Sequence, residues 1–317
     1  VSQWCVSVNK KQAEEMRRRL SREGLLDPAL KPVQEGERVC FPVTDAVYGA
    51  VLKEFEVRSE AEPLPRHELI GGIAIVQEAN RDLAERLLAS RPSIHTVLIS
   101  ESPVEGEFRT KRFEVLAGVP TTRTDYVEFG LHFEIDLSVA YFSARLSGER
   151  QRVKALVKNG EVVLDMFSGV GPFAVTVAET AEVVFACDIN PKAVQLMRRN
   201  IALNRRKNVV PVFMDAVRLE KNIARKFDRI IMNLPLTGAE FLPLAFRMCK
   251  PGGMIHFYVL QSGDEEYLPF IRTYTDGAVH DRFVRSYSPA MHHAVYDIEV
   301  QKEGGEDQAL EGTNFVP

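Results

Sequence analysis

The residues best placed to do chemistry in this 317-residue sequence are carboxylates and one amide that close apolar runs. The segment VVLDMFSGVGPF ends such a run on Asp165, continues through Phe167, and turns on Gly169 and Gly171 ahead of a helix. Glycines in that turn let backbone approach a ligand at the carboxyl end of a strand, where open α/β sheets bind their ligands. VVFACD ends in Asp188, a carboxylate placed to accept from both hydroxyls of a ribose, and VPVFMD ends in Asp215, which can accept from an adenine amino group. Asn190 is positioned to cap a helix that starts with Pro191. A glycine pair by itself is equally compatible with a plain tight turn, and Gly169, Gly171 and Ala174 also satisfy the G-x-G-x-x-G/A pattern of a dinucleotide site. Asp165 and Pro172 favour S-adenosylmethionine: a carboxylate there suits a cationic methionine moiety and repels a pyrophosphate. The turn holds no Lys or Arg, so a Walker-type phosphate grip is excluded.

A fourth strand, DRIIMNLP, delivers Asn233 and Pro235 beside the glycine turn. A side-chain amide offers one donor and one acceptor in a fixed plane, which is how a nucleobase edge is held. An Asn before Leu-Pro also serves as an ordinary strand-end turn, and only its place among the other strand ends raises it. Upstream, YFSARLSGERQRV carries Arg145, Glu149 and Arg150. If one helix includes the whole segment, Arg145 and Glu149 share a face at i, i+4, a pair usually worth only ~0.3–0.5 kcal/mol at a solvated surface. The cluster Arg198, Arg199, Arg205, Arg206 and Lys207 reads as a solvated helix face that could also meet phosphates. His292 and His293 have no carboxylate or cysteine partner at ligand spacing, and the four cysteines are widely separated with no C-x-x-C pair. No metal site and no disulfide framework are expected.

These groups need a scaffold of alternating strands and helices. From Tyr141 onward the periodicity predicts a helix from about Ser147, strands at 162–165, 183–188, 209–214, 229–232 and 254–260, and helices between them, hence a mostly parallel sheet covered on both faces. Before it, residues 67–136 carry apolar runs at 73–76, 96–100, 108–116 and 127–135 with one helix pattern at 80–89, a β-rich unit. Residues 1–60 form a small α+β module, with a strand near 4–8 and a helix holding Ala13, Met16 and Leu20 beside a basic flank. Residues 61–66, within RSEAEPLPRH, read as a linker; 137–303 as the α/β domain; and 304–317 as a disordered acidic tail. Forty basic against 44 acidic residues give −4, so no global positive field gathers nucleic acid and any RNA binding must use local patches. No apolar run approaches the ~18 residues of a membrane span, and a cytoplasmic chain is expected.

Taken together, YFSARLSGER, DMFSGVGPF, DINPKA, MNLP and VRSYSPAMHHAVYDIEV resemble the archaeal and eukaryotic tRNA (guanine-37-N1)-methyltransferases over nearly the whole chain. The resemblance implies a class I, Rossmann-like methyltransferase domain, a β-rich middle domain that holds the anticodon region, and an N-terminal module that touches the tRNA elbow. It implies methyl transfer from S-adenosylmethionine to N1 of the guanosine 3′ of the anticodon, with Glu149 as general base. Arg145 and Arg109, with Arg112 competing for the latter's role, would stabilise O6 or fix the backbone, and Asn233 with Pro235 would orient the guanine edge and border the donor. Arg150 would lie at the cofactor with Asp165, Phe167, Gly169, Gly171, Asp188 and Asp215. A monomer is expected. The alternatives are a bifunctional enzyme that also methylates the tricyclic wyosine intermediate, an aminocarboxypropyl transferase of wybutosine synthesis, and a silent tRNA-binding protein.

Overall fold

The computed structural model describes residues 1–47, 49–57, 64–102, 106, 108 and 110–301. Two compact units divide after Leu64. The expected tail and the first half of the expected linker, 61–63, lie outside the described residues. The first unit comprises β1 (Ser2–Asn9), α1 (Ala13–Arg22), β2 (Val33–Glu35), β3 (Arg38–Pro42) and β4 (Val51–Glu54). Its antiparallel sheet has the order β2-β3-β1-β4. Leu20 is the buried residue of α1, packed with Phe41 and Val43, while Arg17, Arg18 and Arg19 stay exposed.

The second unit begins with β5 (His67–Ile70), β6 (Ile73–Val76), α2 (Arg81–Ser90), β7 (Thr96–Ser100) and β8 (Phe113–Gly118), whose sheet order is β5-β6-β7-β8. The apolar run 108–116 becomes strand only from Phe113. A hairpin of β9 (Arg123–Glu128) and β10 (Leu131–Asp136) follows. The run 127–135 therefore spans two strands, because Phe129 and Gly130 both take positive φ (47° and 78°), the geometry of a two-residue hairpin turn.

The main sheet is built from α3 (Ser147–Leu156), β11 (Val162–Asp165), α4 (Pro172–Val177), β12 (Val183–Asp188), α5 (Pro191–Leu203), β13 (Val209–Phe213), α6 (Leu219–Asn222), β14 (Phe227–Met232), α7 (Leu242–Met248), β15 (Cys249–Gln261), α8 (Leu268–Ile271), β16 (Val279–Ser288) and β17 (Met291–Glu299). Its order is β13-β12-β11-β14-β15-β17-β16, parallel up to β15 and antiparallel beyond. Successive residues of β11 serve opposite faces. Val162 and Leu164 pack with Leu219 and Leu242, and Val163 packs with Val153, Phe173 and Val194. A strand covered on both sides must be apolar throughout, which is why its polar residue comes only at its end. The chain leaves β11 toward β12 on one side and β14 on the other, so a crevice opens at the carboxyl end of β11.

The expected boundary near residue 136 does not coincide with a break in packing. Asn200 and Asn204 of α5 clamp β10 by its backbone: Asn200 accepts from the Glu134 amide at 2.7 Å, and Asn204 accepts from the His132 amide at 2.9 Å and donates to its carbonyl at 2.6 Å. Phe133 and Ile135 share a core with Ile70, Leu98, Val170 and Ala193. No described helix is long and apolar enough to cross a membrane.

Candidate active site

Two cavities open at the carboxyl ends of the parallel strands. The larger, about 410 Å³, is lined by Tyr141, Phe167, Gly169, Asp188, Asp215, Asn233 and Phe241, among others. Its polar frame is fixed by backbone. Asp188 accepts from the Gly169 amide at 2.7 Å and the Asn190 amide at 2.8 Å, and Asp215 accepts from the Val217 amide at 3.1 Å. Asn190 caps α5 through the amides of Lys192 and Ala193 and donates to the Val139 carbonyl at 2.7 Å. Gly169 and Gly171 both take positive φ, 54° and 86°, and a Cβ on Gly171 would lie 2.8 Å from Met197 Cγ. Phe167 meets Phe241 edge to face at 5.0 Å to form an apolar wall. Gly171 shapes the turn without lining the cavity.

Asp165 is 1% exposed and lines neither cavity; neither carboxylate oxygen makes a hydrogen bond of full geometry, although the Ser168 hydroxyl and the amides of Phe167 and Ala174 are near enough to pull its carboxyl down in part. Burial, reinforced by the nearby charge of Asp188, pushes its carboxyl up to about 7. A buried carboxylate without a partner fits a cationic ligand group and would oppose a pyrophosphate, so the residues present fit the methionine end of S-adenosylmethionine.

The second cavity, about 280 Å³, shares Tyr141, Asn233 and Leu234 with the first and is further lined by Glu68, Lys111, Arg145, Pro235, Arg285, Tyr287 and His293. Both volumes are near or within the ~300–1,000 Å³ of small-molecule sites. Asn233 thus stands at the junction, and Pro235 borders the second cavity, where its carbonyl accepts from the Leu260 amide at 3.1 Å. His293 is 2% exposed with both ring nitrogens unpartnered, and Arg285 Nε is likewise buried without a partner. Burial, aided by the Arg285 charge, pulls His293 down to about 4, so its ring is neutral near pH 7.

Three sequence expectations need correction or qualification. Arg145 does not share a helix face with Glu149, because it sits in a 3-10 turn (Ala144–Leu146) before α3 begins; its nearest carboxylate is Glu68, at 3.7 Å. Arg150 lines neither cavity. The residue is 1% exposed, and its guanidinium engages Glu128 through Nε at 2.6 Å and Nη2 at 2.5 Å, with the Ser143 carbonyl taking the remaining contacts at 3.2 and 3.3 Å. With its donors spent on protein, it holds the Phe142–Ser143 wall of the second cavity rather than a cofactor. Glu149 likewise lines neither cavity. One of its oxygens, Oε2, accepts from Arg152 Nε at 2.8 Å and from the Tyr258 hydroxyl at 3.1 Å, and Arg282 stands 3.7 Å from Oε1.

The clamp on Glu149 continues inward. Arg152 grips Asp297 at 2.5 and 3.2 Å, Asp297 meets His256 Nδ1 at 2.5 Å, and His256 Nε2 faces Arg229 at 2.7 Å, which pairs with Glu161. Burial would raise Asp297, but its bonds to His256 and Arg152 outweigh it and hold the carboxyl at about 2. Burial lowers His256, consistent with a neutral ring that donates to Asp297 and accepts from Arg229.

Arg109 lies outside the described residues, and Arg112 lines neither cavity, whereas its neighbour Lys111 lines the second. Sequence reasoning assigned no role to Tyr141, Arg285, Tyr287 or His293. The signal was present in the Y-F-S-A-R-L and R-S-Y-x-P segments, but nothing local says that the latter returns to the glycine turn. Among the described residues no cluster of three or more His, Cys, Asp or Glu could hold a metal ion.

Comparison with known proteins gives the lineage. Residues 124–274 match the TRM5/TYW2 methyltransferase domain, and residues 5–51 match the tRNA methyltransferase 5 N-terminal domain. The chain is 34% identical to tRNA (guanine(37)-N(1))-methyltransferase Trm5b of Pyrococcus abyssi, over 93% of this chain and 98% of that one. The crystal structure of the wild-type Pyrococcus abyssi Trm5b superposes with a TM-score of 0.76 at 33% identity, covering 94% of this chain and 99% of the other. A complex of aTrm5 with tRNALeu superposes at 0.74 with 29% identity, covering 94% and 99%. With both domains matched in order, similarity along nearly the full length, and the crevice of a Rossmann-like sheet lined as described, the chain belongs to the TRM5/TYW2 methyltransferase family.

Proposed function

We propose that this protein transfers a methyl group from S-adenosylmethionine to N1 of the guanosine at tRNA position 37, as the name of its Pyrococcus abyssi relative states for that enzyme. The observation that carries the reading is the pair of cavities meeting at Asn233 and Tyr141, one framed by Asp188 and Asp215 near the buried orphan Asp165, the other walled by cations and an uncharged imidazole. When bound, the donor supplies an electrophilic methyl carbon on a sulfonium. Asp165 would hold its ammonium group, Asp188 the ribose hydroxyls and Asp215 the adenine amine, with Phe167 flanking the base and Gly169 keeping the approach open.

Guanine N1 carries a proton at neutral pH, so a base must remove it before its electron pair can attack, and negative charge then spreads to O6. Glu149 takes that proton. To do so its carboxylate rotates away from Tyr258 toward the cavity while Arg152 keeps the backbone of α3 in place. Asn233, at the junction, holds the base edge in plane with the donor. Extruding the base from its stack costs roughly a few kcal/mol, offset by contacts elsewhere on the tRNA. Residues 1–60 grip the elbow through the exposed arginines of α1, residues 67–136 take the anticodon region, and the enzyme works as a cytoplasmic monomer.

The test is mass analysis of nucleosides from a tRNA transcript incubated with isotopically labelled S-adenosylmethionine. The expected product is guanosine labelled at N1, at a single position. Label found as an aminocarboxypropyl group, or no label in the tRNA, would overturn the reading.

A further inference from the structure

The edge strand β16 is irregular where it passes the second cavity. Its pairing with β17 runs Phe283 to Ala294, skips Val284, resumes with Arg285 opposite His293, and slips again between Ser286 and Ser288. Each slip is a bulge, and a bulge beside a site re-aims side chains that plain alternation would send elsewhere. Here Val284 packs against the core under α4, while Arg285, Tyr287 and His293 all face the cavity. Directly opposite residues share one face of a sheet, so Arg285 and His293 form one continuous wall.

That wall has unused bonding capacity. Arg285 Nε is buried and donates to nothing, and both nitrogens of His293 are buried and unpartnered. The two fully buried arginines of the same unit are consumed by protein, Arg150 by Glu128 and Ser143 and Arg229 by Glu161 and Leu156, and Arg206, whose Nε is also unpartnered, does not line the cavity. Among the cations lining the cavity, Arg145 already faces Glu68 at 3.7 Å with its side chain 55% exposed. Of the three described cations that line the cavity, Lys111, Arg145 and Arg285, Arg285 is the one with a buried donor that has no partner.

Building on the methyl-transfer reading, we propose that Arg285 is a catalytic residue whose guanidinium donates to O6 of the target guanine and stabilises the negative charge that develops there when N1 loses its proton. Arg is suited to this: its fork can take O6 and N7 of guanine together, the commonest arginine contact to that base. The neutral ring of His293 beside it adds a polar partner without a second positive charge, and the wall rejects adenine, whose amino group would meet a donor with a donor. The proton goes to Glu149 and the methyl group to N1, so Arg285 itself neither gains nor loses a proton.

The experiment measures single-turnover methyl transfer at saturating tRNA and donor for the wild type, Arg285→Gln and Arg285→Lys, together with tRNA affinity and thermal melting. If Arg285 meets O6, Arg285→Gln loses about 10²–10³-fold in the chemical rate, the size of one lost oxyanion donor, with tRNA affinity within about threefold. Arg285→Lys, which keeps the charge and loses the fork, recovers about tenfold of that loss. It also serves as the readout if the glutamine variant melts early. A saturating rate that is unchanged in both variants overturns the proposal. So does a loss confined to tRNA affinity and its salt dependence, which would make Arg285 a phosphate contact. A wild-type enzyme that forms no N1-methylguanosine sinks the parent reading instead, so the two failures are separable.

Discussion

The two cavities solve opposite problems. In the donor cavity, the acidic groups at the ends of β12 and β13 are already hydrogen-bonded to backbone amides of Gly169, Asn190 and Val217, so their orientation is set before any ligand arrives. In the acceptor cavity, Arg285 Nε and both ring nitrogens of His293 are buried and unpartnered, while Glu149, which lines neither cavity, is held by Arg152 and Tyr258. An unsatisfied buried polar group costs about 1–3 kcal/mol. A small, invariant ligand can be met by a rigid frame, while a base that swings in from a large nucleic acid is met by groups held in reserve. Asp165 is the exception beside the first cavity: its carboxylate oxygens are also buried and unpartnered.

The sharpest break of that contrast is Glu149→Gln, which removes the proposed proton acceptor and keeps the shape. The chemical rate should fall by about 10²–10⁴-fold, with donor and tRNA affinities within about tenfold of the wild type; rapid quench gives the rate and calorimetry the affinities. A normal rate would take the base out of the Glu149–Arg152–Asp297 clamp and assign it elsewhere.

The donor frame is tested next, through stability. Gly171→Ala places a Cβ 2.8 Å from Met197 Cγ at a φ of 86° and should lower unfolding free energy by about 2–3 kcal/mol. Gly169→Ala meets nothing nearer than the Tyr141 carbonyl at 3.8 Å and should lose only the ~1–2 kcal/mol of the left-handed backbone. Equal losses in denaturant titrations would show that the Met197 contact relaxes freely.

The smallest effect concerns pH. Asp165 has its carboxyl raised from 3.8 to about 7 in the folded protein, so the folded state holds a proton that the unfolded chain has already released. Its contribution to stability is therefore present below the unfolded value and is lost as pH rises through about 7. A cationic ligand reverses the preference: S-adenosylmethionine affinity should rise up to about tenfold between pH 6 and pH 8, and Asp165→Asn should flatten that rise. A slope that survives in the asparagine variant would place the titrating group elsewhere.

Much of the crevice at the strand ends was legible in the sequence because its parts are local. Asp165, Gly169 and Gly171 lie within seven residues, and each of Asp188, Asp215 and Asn233 ends an apolar run whose direction in a parallel sheet fixes where it points. The helix from Ser147 was legible from periodicity for the same reason. Arg150 was misplaced because its partner, Glu128, lies 22 residues upstream on a hairpin that no pattern ties to α3. The pairing of Arg145 with Glu149 failed because a turn of different pitch separates them.

What the amino-acid order settled was therefore the alternation of strands and helices, the glycine turn and the acids at the strand ends, since each depends on contacts between near neighbours and on the two-residue and 3.6-residue periods of the backbone. What only the folded molecule decided was the acceptor side. Bulges in β16 turn Arg285 and Tyr287 inward, β17 brings His293 opposite them, and α3, β15 and β17 converge to clamp Glu149. Those groups come from segments more than a hundred residues apart; which of them meet is fixed by strand order and register, quantities no local run of residues encodes.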